Sequence, residues 1–133
     1  MSKTIVAASE LPARLDVTAV FQALSDPTRV RILHLLRNGS LCVGDLVSIL
    51  DVAQPKASRH LEVLRRTNLV QDEKRGLWRF YHLAPARPGV HRKLLELLDA
   101  AASELPEAQA DEAALRKLQT KGGCCPQHTK GKR

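Results

Sequence analysis

Apolar residues recur at helical spacing near the start of the chain, and a polar triplet divides them into two runs. Val17, Val20 and Leu24 form the first run, which ends at the Ser-Asp-Pro sequence of residues 25–27. Aspartate caps helices well, and proline suits the first helical position. The pattern therefore predicts one helix up to residue 24 and a second helix from Pro27 to about Asn38.

Two further helices follow closely. Apolar residues repeat every three or four positions over residues 43–50 and again from Gln54 to Arg66, which predicts a third and a fourth helix. The fourth has a narrow apolar stripe, while basic and polar side chains occupy its other faces. Such a helix buries one side and presents a charged side to solvent or to a ligand.

The hydrophobic period then changes from helical to alternating. Residues 69–71 and 78–83 predict two short strands, joined by a charged turn over residues 72–76 that contains a glycine. Beyond Pro88, a strongly apolar helix is predicted from Val90 to about Ala102, with a stripe too wide for a small helical core alone. An alanine-rich helix from Pro106 to about Gln119 and a loose, lysine-rich end complete the chain.

This order of elements predicts a mainly helical fold with a small β-hairpin. Helix, turn, basic helix and two-stranded ribbon is the order of a winged helix-turn-helix, here expected to be dimeric. The 133 residues suffice for one hydrophobic core but not for two. We therefore divide the chain into an N-terminal arm (1–14), a DNA-binding and dimerisation domain (15–104), and a C-terminal helix with a flexible, cysteine-bearing basic tail (105–133).

The net charge of +7 is distributed unevenly along the chain. Residues 54–93 contain ten basic and three acidic side chains, residues 94–112 contain six acids and no base, and residues 113–133 contain six bases and no acid. A basic block inside a predicted ordered region indicates a polyanionic partner, because lysine and arginine that neutralise phosphates release counterions. The chain lacks a signal sequence, a long apolar run, a nucleophile-and-base set and a phosphate-binding glycine loop. We therefore expect a cytoplasmic protein that is not an enzyme.

The basic helix and the ribbon carry the candidate DNA contacts. Early residues of such a helix reach base edges and phosphates, whereas its far end and the ribbon reach the backbone. The candidates are Gln54, Lys56, Ser58, Arg59, His60, Arg65, Lys74, Arg75 and Arg79. Ser58 and His60 suit a local hydrogen bond to the neighbouring helix equally well, so both interpretations stay open for them.

Four sequence motifs resemble those of the ArsR/SmtB family of bacterial metal-responsive repressors. They are FQALSDPTRVRIL (21–33), LCVGDL (41–46), QPKASRHLEVLRR (54–66) and GLWRFYHL (76–83), and the resemblance extends over about residues 15–103. It implies a homodimer held by the first and last helices of the domain, which binds double-stranded palindromic operator DNA and leaves it when a metal or metalloid binds. Two recognition helices would then lie about 34 Å apart, which is one duplex turn.

Two of the family's effector sites are incomplete in this sequence. The arsenic sensors usually carry Cys-x-Cys in the motif matched by residues 41–46, but this chain has Cys42 and then Gly44. We therefore expect Cys42 to be a packed apolar residue, with a third-ligand role as the alternative. The zinc sensors use Asp and His pairs on the last domain helix, where this chain has His91 without a second histidine four residues later. We expect His91 at the surface or at the dimer edge.

The adjacent thiols Cys124 and Cys125 are the remaining candidate ligands. Three cysteines without an export signal do not suggest a disulfide framework. Two neighbouring thiolates form a soft chelate, and Lys121 and Lys130 favour the thiolate form. We expect an arsenic(III) species, arsenite or an organoarsenical, as the effector, and no catalytic cofactor. Open alternatives are redox or persulfide sensing, sensing of another soft or divalent metal, an effector-independent interaction module, and a tail with incidental cysteines.

Overall fold

A computed structural model describes residues 15–123, which form six helices and one three-stranded sheet. The helices are α1 (Val17–Leu24), α2 (Pro27–Leu35), α3 (Val43–Leu50), α4 (Gln54–Arg66), α5 (Val90–Ala101) and α6 (Ala108–Thr120). The strands are β1 (Leu41–Cys42), β2 (Val70–Arg75) and β3 (Trp78–Leu83). Single 3₁₀ turns continue α2 through Leu36–Asn38 and α5 through Ala102–Glu104. The predicted fold class is confirmed, and every predicted helix is present.

The first two helices begin at aspartate caps, as the sequence predicts. The side chain of Asp26 accepts hydrogen bonds from the backbone N–H groups of Thr28 (2.8 Å) and Arg29 (3.2 Å), and Pro27 opens α2. Asp16 accepts the N–H of Ala19 in the same way at the start of α1. Each cap satisfies backbone donors that a helix cannot pair internally.

The sheet differs from the prediction in two respects. The short strand β1 was not predicted, and it pairs antiparallel with β3 through Leu41↔Tyr81 and Cys42↔Phe80, which gives the order β1-β3-β2. The predicted charged turn over residues 72–76 is mostly strand, because β2 extends to Arg75 and pairs with Trp78. The hairpin therefore turns over two residues only, Gly76 and Leu77, with φ of 62° at the glycine.

One hydrophobic core lies between α2, α3, α4 and the base of the sheet. Ile32, Leu46, Leu61 and Leu64 are completely shielded from solvent, and each comes from the apolar stripe of its helix. Between α3 and α4 the chain turns at Asp51, which adopts a left-handed conformation (φ 57°, ψ 49°) at the end of α3. Aspartate tolerates this conformation better than most residues. The turn fixes the direction in which α4 leaves the core.

Helix α6 packs against α2 and α3, where a buried ion pair holds it. Asp111 is 3% exposed and accepts two hydrogen bonds from the guanidinium of Arg31, at 2.9 and 2.8 Å. Glu112 lies 3.0 Å from the imidazole Nε2 of His34, close enough for an ion pair but not aligned for a hydrogen bond. Arg37 also pairs with Glu112, at 3.3 Å. The C-terminal helix is therefore attached to the helices that position α4.

Candidate nucleic-acid interface and effector thiols

Helix α4 presents a polar face to solvent. Gln54, Lys56, Ser58 and Arg59 are exposed, whereas the opposite face, which includes Ala57, is buried in the core. Pro55 stands in the first turn, where its missing N–H costs no helical hydrogen bond. The four exposed side chains share the N-terminal half of a thirteen-residue helix, the part that can reach base edges in a major groove.

His60 faces inward, unlike the other candidates on this helix. The residue is 8% exposed, and its ring Nδ1 lies 3.3 Å from Nη1 of Arg29 on α2. Arg29 in turn donates from Nε to the carbonyl of Ala23 at 2.7 Å. The structure shows His60 in this local contact, and its contact with DNA stays a prediction. His60 thus positions α4 against α2.

The far end of α4 carries an exposed cluster of charges. Arg65 donates to both carboxylate oxygens of Glu62, at 3.0 and 2.7 Å, and Arg66 donates to the same carboxylate at 3.1 Å. Hydrogen bonds from Arg65 and then from Arg66 lower the pKa of Glu62. Such exposed pairs are weak and readily exchanged. Arg65 is therefore free to leave Glu62 for a phosphate oxygen without any rearrangement of the core.

The wing, which we define as the β2-β3 hairpin of residues 70–83, carries three exposed basic side chains, of which Arg79 pairs with Asp72 at 2.5 Å. Lys74, Arg75 and Arg79 are exposed, and the guanidinium of Arg75 lies over the ring of Phe80, 4.4 Å from its centroid. Arg75 also donates to Glu73 at 2.8 Å. A cation held over an aromatic ring loses little conformational freedom when it binds a ligand. The wing therefore carries partly preorganised cations.

Cys42 lies on β1, directly opposite Phe80 of the wing. It is 1% exposed and packs with Phe80 and Trp78 in a small apolar cluster, which confirms the packed location expected for it. Cys42 is disulfide-bonded in the structure, which the sequence analysis did not expect. Gly44 stands in the first turn of α3, two residues along. Among residues 15–123, no group of three or more His, Cys, Asp or Glu side chains is arranged to hold a metal ion.

The predicted ligands Cys124 and Cys125 lie outside the described residues. What precedes them is well defined: α6 ends in two glycines with φ of 89° and 76°. The N–H of Gly123 bonds to the carbonyl of Leu118 at 2.9 Å, and that of Gly122 to Gln119 at 3.0 Å. This is the Schellman pattern, which needs left-handed conformations that glycine adopts without strain. The chain therefore leaves α6 through a fixed cap, immediately before the first thiol.

An apolar surface covers one side of α1 and α5. Phe21 is 62% exposed and Leu97 60% exposed, with Val17 and Val90 beside them. They line an apolar groove of about 260 Å³. We call this surface the α1-α5 face. Large apolar side chains that cluster at one exposed place typically mark a site of protein association.

His91 lies at the first turn of α5 and is not at the surface of the protomer, which was one of the two positions expected for it. The residue is 2% exposed, and its ring Nδ1 accepts the backbone N–H of Arg87 at 3.3 Å. The surface position was therefore wrong, and a place at the dimer edge stays a prediction. The ring faces inward, where it accepts a local hydrogen bond from the loop four residues earlier.

Two buried histidines have lowered pKa values, from which we expect acid conditions to be destabilising. Burial, followed by the charge of Arg87, lowers the pKa of His91, and burial is also the largest cause that lowers the pKa of His60. Asp26 opposes the shift at His60, whereas Arg29, Lys56 and Arg59 reinforce it. In the unfolded chain these histidines have the ordinary pKa of 6.5. Below pH 6.5 the unfolded chain therefore binds more protons than the folded chain.

We therefore expect the free energy of unfolding to fall as the pH drops from about 7 to about 5, and to fall less in His60→Gln and His91→Gln. Urea titrations at a series of pH values measure this effect. His82→Gln is the control, because that half-exposed side chain lies on the wing and contacts Gln71. An unchanged slope in both buried variants would contradict the assignment.

An exposed polar helix preceded by a tight turn, and a basic two-stranded wing beside it, define a winged helix-turn-helix regulator that binds DNA. The family model described as "Bacterial regulatory protein, arsR family" matches residues 26–72. The chain belongs to this ArsR family, and the family resemblance recognised in the sequence is confirmed. No helix between residues 15 and 123 is both long and apolar enough to cross a membrane.

Similar proteins include regulators of arsenic resistance. An arsenical resistance operon repressor of Escherichia coli is 45% identical over 78 residues, which is 58% of this chain and 67% of that protein. The regulator ArsR2 of Pseudomonas putida, named for arsenic resistance, is 43% identical over 61% of this chain and 72% of its own length.

Similar solved structures share the winged fold. Reduced HlyU from Vibrio cholerae has a TM-score of 0.54 and 33% identity, and the match covers 62% of this chain and 83% of HlyU. A homodimeric winged helix-turn-helix domain, Mb0332 from Mycobacterium bovis, has a TM-score of 0.57 and 30% identity, and the match covers 68% of this chain and 82% of that domain.

Proposed function

We propose that this protein is a homodimeric repressor that releases its operator when a trivalent arsenical binds thiolates of Cys124 and Cys125. The DNA-binding part of the proposal rests on one observation, the exposed polar face of α4 beside the wing. The arsenic half rests on the two adjacent thiols together with the arsenic resistance named in the two relatives. Cys42 is the candidate third ligand once its disulfide is reduced.

The α1-α5 face supports the dimer. Pairing two copies of this face covers Phe21 and Leu97 and removes most of their apolar surface from water, which drives association. A two-fold axis through it would give the dimer two symmetry-related copies of α4. Recognition helices about one duplex turn apart then match a palindromic operator.

The position of the thiols supports a link between effector and DNA. Cys124 directly follows the glycine cap of α6, and α6 is bonded through Asp111 to Arg31 of α2. A ligand bound to the thiols would act on α6, which is attached to α2, one of the helices that position α4. A monosubstituted organoarsenical needs two thiolates, which this pair supplies, whereas arsenite needs a third such as Cys42.

Thiol oxidation is the second candidate function, and a specific observation favours it. Cys42 is disulfide-bonded in the structure, and it packs against Phe80 and Trp78 at the base of the wing. A bond formed there alters the local packing of an element that we expect to touch DNA. In this alternative, oxidation or persulfidation replaces the arsenical as the signal.

Operator release by methylarsenite and arsenite tests the proposal. Fluorescence anisotropy follows binding to DNA from upstream of the gene, with a phosphine reductant that offers no competing thiol. We expect Cys124→Ser and Cys125→Ser to retain operator affinity and to raise the methylarsenite concentration for half release at least about tenfold, because one thiolate binds a soft ion far more weakly than two. Cys42→Ser separates the ligands: it should affect release by arsenite only.

Gln127→Ser is the matched control, since it changes the same tail without removing a thiol. Unchanged release in both tail cysteine variants would overturn the arsenic proposal while leaving DNA binding intact. Release by peroxide or by a polysulfide, measured without arsenic and without the phosphine and lost in Cys42→Ser, would establish the redox alternative. Mass spectrometry of the released protein then identifies the modified thiols.

A further inference from the structure

The last turns of α6 carry basic side chains that no carboxylate neutralises. Arg116, Lys117 and Lys121 are exposed, and we call them the basic end of α6. Within residues 15–123 none of the three forms an ion pair. By contrast, Arg31 and Arg37, the basic side chains that reach α6 from α2 and its 3₁₀ turn, are both paired with carboxylates. The basic end is therefore a surface of uncompensated positive charge.

The two signs of charge are separated along α6. Asp111 and Glu112 stand in its first half and pair with Arg31 and Arg37, whereas residues 113–123 contain bases and no acid. Bases near the C-terminus of a helix complement the helix dipole, which gives these side chains a simple role within the protein. That role does not depend on where the basic end lies in the fold. Its location points to a second role.

The basic end lies beside the end of α3 that leads into α4. Lys117 and Lys121 line one groove together with Ser48 and Ile49, which belong to the last turn of α3. Gln54, the first residue of α4, follows Ile49 by five residues, and five residues span at most about 18 Å even when fully extended. The basic end is therefore close to the N-terminal half of α4, the part that can reach base edges.

We propose that the basic end of α6 binds the phosphate backbone of duplex DNA beside the major groove that α4 enters. The inference rests on the proposed operator binding. A major groove is about 12 Å wide, so a row of phosphates borders an inserted helix on each side. Cations held this close to the start of α4 are placed to contact one of these rows. The DNA interface then extends to a helix outside residues 26–72, which the family model matches.

The chemistry of such a contact determines what its loss should do. Each lysine that neutralises a phosphate releases counterions and contributes about 0.9 to the slope of log affinity against log salt concentration. Phosphates carry no sequence information, so the contact strengthens binding to every duplex by a similar factor. A lysine that only complements the helix dipole contributes to the stability of α6 and not to this slope.

DNA affinity measured across a salt series tests the inference, for the operator and for an unrelated duplex, with the phosphine reductant present. Replacing both lysines, as Lys117→Gln with Lys121→Gln, should reduce the slope by about 2 and weaken binding at least about tenfold at about 0.15 M salt. Both duplexes should be affected alike. Lys117→Arg with Lys121→Arg keeps the charge and should keep the wild-type slope. Thermal unfolding verifies that each variant is folded.

Arg92→Gln is the matched control, because Arg92 is also exposed and without an ion pair among the described residues, but stands on α5. Its slope should equal that of the wild type. A wild-type slope in the double glutamine variant would overturn the inference and leave the proposed function standing. Weaker binding to the operator alone would also overturn it, since a phosphate contact is insensitive to sequence. A wild-type protein that does not prefer its operator would overturn the proposed function, and the slopes on unrelated DNA would still decide the inference.

Discussion

Leu97→Glu is expected to produce a folded monomer whose affinity for a full operator is at least about 100-fold lower than that of the wild type. Leu97 is 60% exposed in the isolated protomer, so a glutamate there remains in water and leaves the core intact. In the dimer proposed through the α1-α5 face, the same position would be buried, and a glutamate there would lose its hydration without gaining a counter-ion. Loss of the dimer removes the second α4, and linked binding commonly contributes factors of about 100 to 10,000.

Analytical ultracentrifugation measures the oligomeric state, and anisotropy measures affinity for full and half operators. Affinity for a half operator should be the same in Leu97→Glu and in the wild type. Gln109→Glu is the matched control, since it adds the same charge to an exposed position on α6. A variant that remains dimeric would remove the α1-α5 face from the dimer model and would require another role for Phe21.

The elements with strong periodicity were predictable, and so was the exposed face of α4. Asp26 with Pro27 predicted the start of α2, because helix capping depends on a few adjacent residues. Gln54, Lys56 and Arg59 were selected because polar residues outside an apolar stripe face solvent. The DNA contacts of these residues stay predictions, as does the thiol site, which lies outside residues 15–123.

Short and long-range features were not predictable from the local pattern. β1 has two residues, too few to show an alternating period, and it exists because its backbone pairs with β3. His60 is as polar as its neighbours, and only its approach to Arg29, thirty-one residues earlier, shows that it faces inward. The sequence likewise suggested a helix after Pro106 but not its attachment, because Arg31 and Asp111 are eighty positions apart.

We expect Asp111→Asn, which breaks the ion pair between α2 and α6, to lower the free energy of unfolding by about 2 to 3 kcal/mol. The substitution keeps the size of the side chain but leaves the guanidinium of Arg31 without its counter-ion in a largely buried place, which is costly. Arg31 retains partial access to water, with 21% of its side chain exposed, so the effect falls below that of a fully buried pair. The hydrogen bonds from Arg31 to Asp111 are also the main reason why the pKa of Arg31 is raised.

Urea unfolding of Asp111→Asn, compared with Glu96→Gln, measures the effect. Glu96 forms an exposed pair with Lys93 at 3.8 Å, and its loss should cost less than about 0.5 kcal/mol. Replacing both partners, as Arg31→Met with Asp111→Leu, should recover much of the stability, because no buried charge is then left unpaired. If Asp111→Asn were as stable as Glu96→Gln, α6 would not be held by this pair. The apolar contacts of Leu115 would then be the main link between α6 and the helices that position α4.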